Sequence, residues 1–310
     1  MLGAAIAIAS ALAFSLSDVA VRRGVARAPV SHAAFVTVLL GVPLFAIAAL
    51  VTGQMVRLGE LTTSSYGLLS AAGIVHYVAG RSFNYAAIGA IGAARSSPVQ
   101  ALSLPYSVLI ALLFLDEGIT LGMAAGILLI LTGPLLMIER RVTAAVPVAA
   151  GQVTTGQHEG FQLRQAEGYA FATLAALSYG TSPVLIRAAL EGERSVSILG
   201  GFVSYVAAAA LLVASLVLPS RRSLLTSLQP SGLRVFFAAG FFVFLAQMLR
   251  FIALSMASVA VVATLLRFGS LFTLAASWIL NRRLELITRR VVIGVLISLV
   301  GAVLLVATQD

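Results

Sequence analysis

Two stretches of the chain repeat one another, and this constrains the fold more than any other feature. Glu117-Gly118-Ile119-Thr120, followed by Gly126 and Gly133, returns as Glu285-Leu286-Ile287-Thr288, followed by Gly294 and Gly301. Ala11, Leu12, Ser17, Val19 and Arg22 return as Ala176, Leu177, Ser182, Val184 and Arg187, with Tyr179 answering Phe14. Ala87 and Ala94 return as Ala253 and Ala260, and the offset drifts only from 165 through 166 to 168. Each half reads as five apolar segments of membrane-spanning length. An odd number per half sends the second copy into the bilayer from the opposite side. The prediction is an all-α integral membrane fold of ten transmembrane helices, built as two inverted five-helix repeats. In that architecture a binding site lies near the midplane, between the halves.

Composition agrees with a bilayer as solvent. The chain is 60% hydrophobic and 10% charged, whereas a soluble domain carries about 25% charged residues. Cysteine is absent, which excludes disulfides, thiolate nucleophiles and cysteine-ligated metals. All 20 basic residues are arginine, and they lie at segment ends rather than along one face. A net charge of +9 therefore reads as topology signals beside an anionic leaflet, and no nucleic-acid partner is expected. Residues 1–21 lack a charged leading region, so the first apolar run is expected to be retained as a span.

At about 20 residues per crossing, the spans fall near 2–21, 32–52, 65–88, 92–114, 121–138, 168–187, 197–218, 232–254, 258–280 and 289–307. The domain reading is a first repeat over 1–138, a flexible polar linker over 139–167, and a second repeat over 168–307. Thirteen arginines fall on the side that follows spans one, five, seven and nine, against three on the other. The positive-inside rule then places both termini outside.

Polar residues inside the spans mark the candidate site, because a charge at the bilayer centre costs about 2.5–3.5 kcal/mol and normally faces protein or water. Arg267 sits mid-span on a small, polar face with Ala260, Ala263, Thr264 and Ser270. It suits either a clamp on a carboxylate or phosphate or an ion pair with Asp18. His76 shares a face with Gly73, Gly80 and Asn84 and adjoins Tyr77. It suits either a proton relay or a core histidine bonded to a carbonyl. Asp18 has Arg22 at i+4 and reads either as a helix-surface pair or as a gating carboxylate. Span four carries Arg95, Pro98 and Pro105 with Gln100, Ser103 and Tyr106, where each proline frees a carbonyl one turn earlier. Arg81 and Arg250 are candidates to face the cavity, with snorkelling the favoured reading for Arg250, which stands near a helix end. The glycines at 126, 133, 294 and 301 read as close-packing faces between helices or protomers, and Trp278 as an interfacial anchor.

The chain resembles the EamA-type branch of the drug/metabolite transporter superfamily. The resemblance rests on the repeated order of Phe14-Ser15…Arg22 and Tyr179-Gly180…Arg187, then the acidic Glu-x-x-Thr loop and a Gly-rich last helix. It implies a carrier of small metabolites, amino acids or drugs, often outward and often gradient-driven, with both termini cytoplasmic. That last implication conflicts with the arginine count. Two departures stand out. The Glu-Pro common in the family's fourth helix is Leu104-Pro105 here and Ser270-Leu271 in the second half. The first-helix tryptophan is Phe14 and Tyr179.

Together these point to a secondary transporter in the plasma (inner) membrane, not an enzyme, moving a small anionic or zwitterionic, amino-acid-like metabolite by alternating access. Arg267, His76, Tyr77, Asn84, Gln100, Tyr106 and Tyr179 are the expected substrate contacts. Asp18 and His76 are the expected proton-coupling or gating groups. No cofactor or metal is expected. The partners are a small-molecule substrate and the lipid bilayer, and a homodimer is compatible with the small-residue faces. The alternatives are a lipid-linked sugar flippase of the same fold and a membrane-embedded lipid-modifying enzyme. No G-x-x-x-x-G-K-[ST] is present, so ATP hydrolysis by this chain is not expected.

Overall fold

The computed structural model describes residues 2–106, 109, 120–138, 164–190, 196–222, 230–256, 262 and 265–308. These residues are helical with short connections, as a segment in lipid must be to satisfy its own backbone. In the first half the helices are α1 (Leu2–Val25), α2 (Val30–Val51), α3 (Thr63–Gly73), α4 (Arg81–Ile91), α5 (Ala93–Val99) and α6 (Leu121–Leu136). In the second they are α7 (Gln165–Ala189), α8 (Ser197–Ala214), α9 (Pro230–Met256), α10 (Gly269–Leu280) and α11 (Arg289–Ala307). Six helical stretches, in α1, α2, α7, α8, α9 and α11, are long and apolar enough to cross a membrane, and Leu121–Leu136 and Leu265–Leu280 are shorter apolar helices.

The span expected at 65–88 is real but not uniform. Between α3 and α4 the chain runs as a π-helix over Ile74–Gly80, which carries His76 and Tyr77. A π turn admits an extra residue and re-aims the side chains beside it, which is why such turns gather at functional sites. The span expected at 92–114 is broken. After α5 the bonding tightens to a 3-10 turn over Gln100–Leu102 before helix resumes at Ser103. The span expected at 258–280 breaks at the matching place, where Phe268 N donates to Leu265 O and Leu271 N to Phe268 O. The two breaks lie close together, with Ser97 Oγ donating to Ser270 Oγ at 3.2 Å. Of the expected linker, 139–163 lies outside the described residues, and its last residues, Gln165 to Glu167, already belong to α7.

Packing is reciprocal between the halves. The first helix of each half packs on the third segment of the other: α1 lies on α9, and α7 lies on α3, the π segment and α4. Like segments also meet, α2 on α8, α5 on α10 and α6 on α11. The α6–α11 contact is backbone against backbone. A Cβ on Gly133 would lie 2.5 Å from Gly294 O, and one on Gly301 would lie 2.8 Å from Gly126 O. The repeated glycines therefore pack within one chain. Of the first Glu-x-x-Thr motif only Thr120 lies within the described residues. Thr120 caps α6 by accepting from Met123 N at 3.1 Å. Glu285 instead reaches into the other half.

Candidate functional site

At one end of the bundle the chain is sealed by Glu285. Its Oε1 accepts from Ala93 N at 2.7 Å, at the buried start of α5, and lies 3.9 Å from Arg22 Nε. Four helix amides lack internal partners at any helix start, so a carboxylate there is favoured by both hydrogen bonding and the helix dipole. Gly92, just ahead, has φ +87, and a Cβ on it would meet Glu285 Oε2 at 2.1 Å. Arg22 also donates to Leu284 O, at 3.0 and 2.5 Å, and to Gly89 O at 3.1 Å. Arg22 therefore does not make the expected i+4 pair with Asp18. The Glu285 carboxylate and the carbonyls of Leu284, Ile88 and Gly89 hold it instead. Asn281 closes the same end, donating to Val19 O at 2.8 Å and accepting from Arg23 Nε at 2.7 Å.

Toward the middle, a chain of polar side chains links the halves. Asn84 donates to Asp18 Oδ1 at 3.3 Å, and its Oδ1 accepts from Gln100 Nε2 at 2.7 Å and Ser96 Oγ at 3.3 Å. The expected residues Asp18, Asn84 and Gln100 thus meet in one cluster, and the expected Asp18–Arg267 ion pair is absent. Arg81 donates to Tyr205 OH at 2.7 Å, with its guanidinium 4.9 Å from the Tyr77 ring centroid. That buried cation is balanced by aromatic faces, which attract it through their quadrupoles. Tyr77 in turn lies 3.9 Å from Tyr205, centroid to centroid.

His76 stands beside this wall. Gln247 Nε2 approaches His76 Nε2 at 3.3 Å, and Ser182 Oγ lies 2.7 Å from Nδ1. An amide donor at Nε2 leaves the proton on Nδ1, so this arrangement is a neutral imidazole donating to Ser182. Its ring lies 4.6 Å from Tyr179 and 4.8 Å from Tyr77. His76, Tyr77 and Tyr179 therefore form one aromatic group. Tyr106 packs against Gly180 on the next turn of α7, and its hydroxyl is 3.1 Å from Thr181 Oγ1.

A small cavity opens at this group, lined by His76, Tyr77, Gln247, Arg250 and Ser204. Its volume of about 10 Å³ holds roughly one water. Arg250 was expected to snorkel away; it lines the cavity instead, one turn from Gln247. Arg267 has a buried Nε with no hydrogen-bond partner.

Sequence reasoning passed over Ser182, Gln247 and Tyr205. The only signal available for Gln247 was a polar residue inside an apolar span, three residues before an arginine. The Glu285 seal had a signal, the repeated Glu-x-x-Thr, but nothing to say that the acid crosses between halves. Trp278 is exposed, with the Arg282 guanidinium 5.8 Å from its ring.

Among solved structures, 21 chains match this one. One, a crystal structure, is 18% identical, covers 99% of this chain and 96% of its own, and superposes with a TM-score of 0.61, which establishes a shared fold. No curated protein matches. The model of the EamA-like transporter family matches residues 1–138 and again 166–307, so its two matches fall on the two repeated halves. With apolar helices throughout and a family match over almost its whole length, this multi-pass membrane protein belongs to the EamA-like transporter family, within the drug/metabolite transporter superfamily.

Proposed function

We propose that the chain is a secondary transporter of the plasma membrane that moves a small anionic or zwitterionic, amino-acid-like metabolite, outward, by alternating access between two inverted five-helix halves with ten spans in all. The observation that carries this reading is Arg267. A guanidinium within a span, with Nε buried and unbonded, is costly unless something anionic completes it. It stands where the fourth segments of both halves break, the place where interrupted helices present substrate groups in transporters built this way. The cavity of about 10 Å³ is too small for a metabolite, so binding requires it to widen. Opening requires α1 and α9 to move against α7 and the π segment.

Thermal stabilisation of the purified protein against amino acids, organic acids, nucleobases and cationic drugs tests the reading, since a ligand stabilises only the state it binds. An anionic or zwitterionic compound should raise the melting temperature, and Arg267→Ala should weaken its binding about 100-fold, the scale of losing one charge-assisted pair in a dry site. Stabilisation only by cations or lipids would overturn it. His76 and Asp18 are the proposed proton carriers. His76→Gln should remove the dependence of transport on a pH gradient. Unchanged dependence would take His76 out of that role.

A further inference from the structure

The last two helices enclose a cleft that the transport site does not use. It has a volume of about 610 Å³, within the roughly 300–1,000 Å³ of ligand clefts, and shares no lining residue with the cavity at His76. Leu271, Leu274, Ala275 and Trp278 line it from α10. They stand at i, i+3, i+4 and i+7, so they form one stripe about 10 Å long on the helix. Arg289 and Val292 line it from α11, and Ala275, Trp278, Arg289 and Val292 are exposed, so the cleft opens outward. Its polarity is sorted end to end. Near Leu271 the walls are hydrocarbon. At the other end α10 stops, α11 starts, and Trp278 and Arg289 form the rim. The Arg282 guanidinium lies 5.8 Å from the Trp278 ring, within reach of its π-face. Arg289 therefore belongs to this rim as lining and Arg282 through its contact with Trp278.

The charge at this rim is unbalanced. Residues 282–290 carry four arginines and one acid, Glu285, and that acid is turned inward to Ala93 and Arg22. Among the described residues neither Arg282 nor Arg289 has an ion-pair partner. Tryptophan and arginine at the ends of apolar helices lie at headgroup level, with the hydrocarbon core below them. We propose that the cleft binds one anionic phospholipid, with an acyl chain along the Leu271–Trp278 stripe and the headgroup phosphate at the Trp278 end, bonded by Arg282 and Arg289. Guanidiniums suit a phosphate because they offer it paired, charge-assisted donors. Basic pockets between transmembrane helices hold acidic headgroups by the same chemistry. A second copy of the chain is the weaker fit. A two-fold contact presses one face against itself and would bring these arginines together. The site is separate from the transported molecule, so its failure would leave the transporter reading untouched.

Trp278 is the chain's one tryptophan, so its fluorescence reports this cleft directly. The experiment uses purified full-length protein in a neutral detergent. It is titrated with phosphatidylglycerol or phosphatidylcholine carrying brominated acyl chains, which quench an indole on contact. Brominated phosphatidylglycerol should quench Trp278 saturably, and the unbrominated lipid should reverse it. It should bind on the order of 25-fold more tightly than phosphatidylcholine, about fivefold for each arginine. The double variant Arg282→Gln, Arg289→Gln should erase that preference. Arg221→Gln with Arg222→Gln removes the same charge from exposed positions outside the cleft and should preserve it. Ala275→Phe, which fills the stripe without changing charge, should weaken both lipids. Equal quenching by the two lipids would mean ordinary bilayer contact and would overturn the proposal. So would unaltered quenching in Ala275→Phe, displacement of the lipid by inorganic phosphate alone, or quenching that disappears as the protein dimerises through this face.

Discussion

Gly133→Leu should leave no stable protein in detergent, while Gly67→Leu at an exposed position should melt within a few degrees of wild type. The last helices of the two halves touch through their backbones at Gly133 and Gly294, and again at Gly126 and Gly301. A Cβ on Gly133 would already lie 1.9 Å from Ser298 Oγ and 2.5 Å from Gly294 O, so a leucine must force α6 and α11 apart along their whole contact. Close approach of small residues supplies much of helix association in lipid, where no hydrophobic drive remains. Overpacking a core costs about 1–3 kcal/mol, occasionally more, even where side chains can give way, and a backbone carbonyl cannot. Around Gly67 nothing lies within 4 Å. Thermal melting of both variants by loss of monodispersity is the check. Equal melting would mean that α6 and α11 are not held by this contact.

Gly92→Ala should cost about 3 kcal/mol, and the loss should shrink when Glu285 is also truncated. Two terms add. A φ of +87 is strained for any residue with a Cβ, at about 1–3 kcal/mol. The Cβ also strikes the Glu285 carboxylate at 2.1 Å. Only the second term depends on Glu285, so Glu285→Ala should relieve it, and the pair should deviate from additivity as contacting residues do. Additive losses would deny the contact. Glu285 also gives the seal a pH dependence. Burial pushes its carboxyl up to about 7, against the pull of the Ala93 amide and Arg22. For an acid raised from its ordinary value of 4.5, the stability it contributes is full below about 4.5 and is lost as pH rises through 7. That contribution is on the order of 3 kcal/mol. Wild type should therefore melt lower at pH 8 than at pH 5, and Glu285→Gln should flatten that slope. A variant with the wild-type slope would assign the titration elsewhere.

The helical class, the family and the glycine contacts were legible because each leaves a mark on composition or on repetition. The positions where the site is built left weaker marks. The π segment over Ile74–Gly80 changes which carbonyl each amide reaches, and apolar composition is blind to that. Arg250 read as a snorkelling side chain because its distance from a helix end could be counted, whereas the neighbouring helices that enclose it could not. Asp18 and Arg22 stand at ideal i+4 spacing, yet Asp18 bonds Asn84 on another helix and Arg22 bonds the loop before α11. Local spacing was a sound guide to what can meet, and tertiary competition decided what does.

The bond between Glu285 and Ala93 also orders the making of the protein in time. The two residues are 192 apart in sequence. At about 5–20 residues per second, the first amides of α5 wait on the order of 10–40 s for the acid that will cap them. Through that interval the first half sits in the bilayer with an open helix start at Gly92. The second half, arriving last, completes the first as well as itself, and a chain interrupted before Glu285 leaves that helix start without its acid.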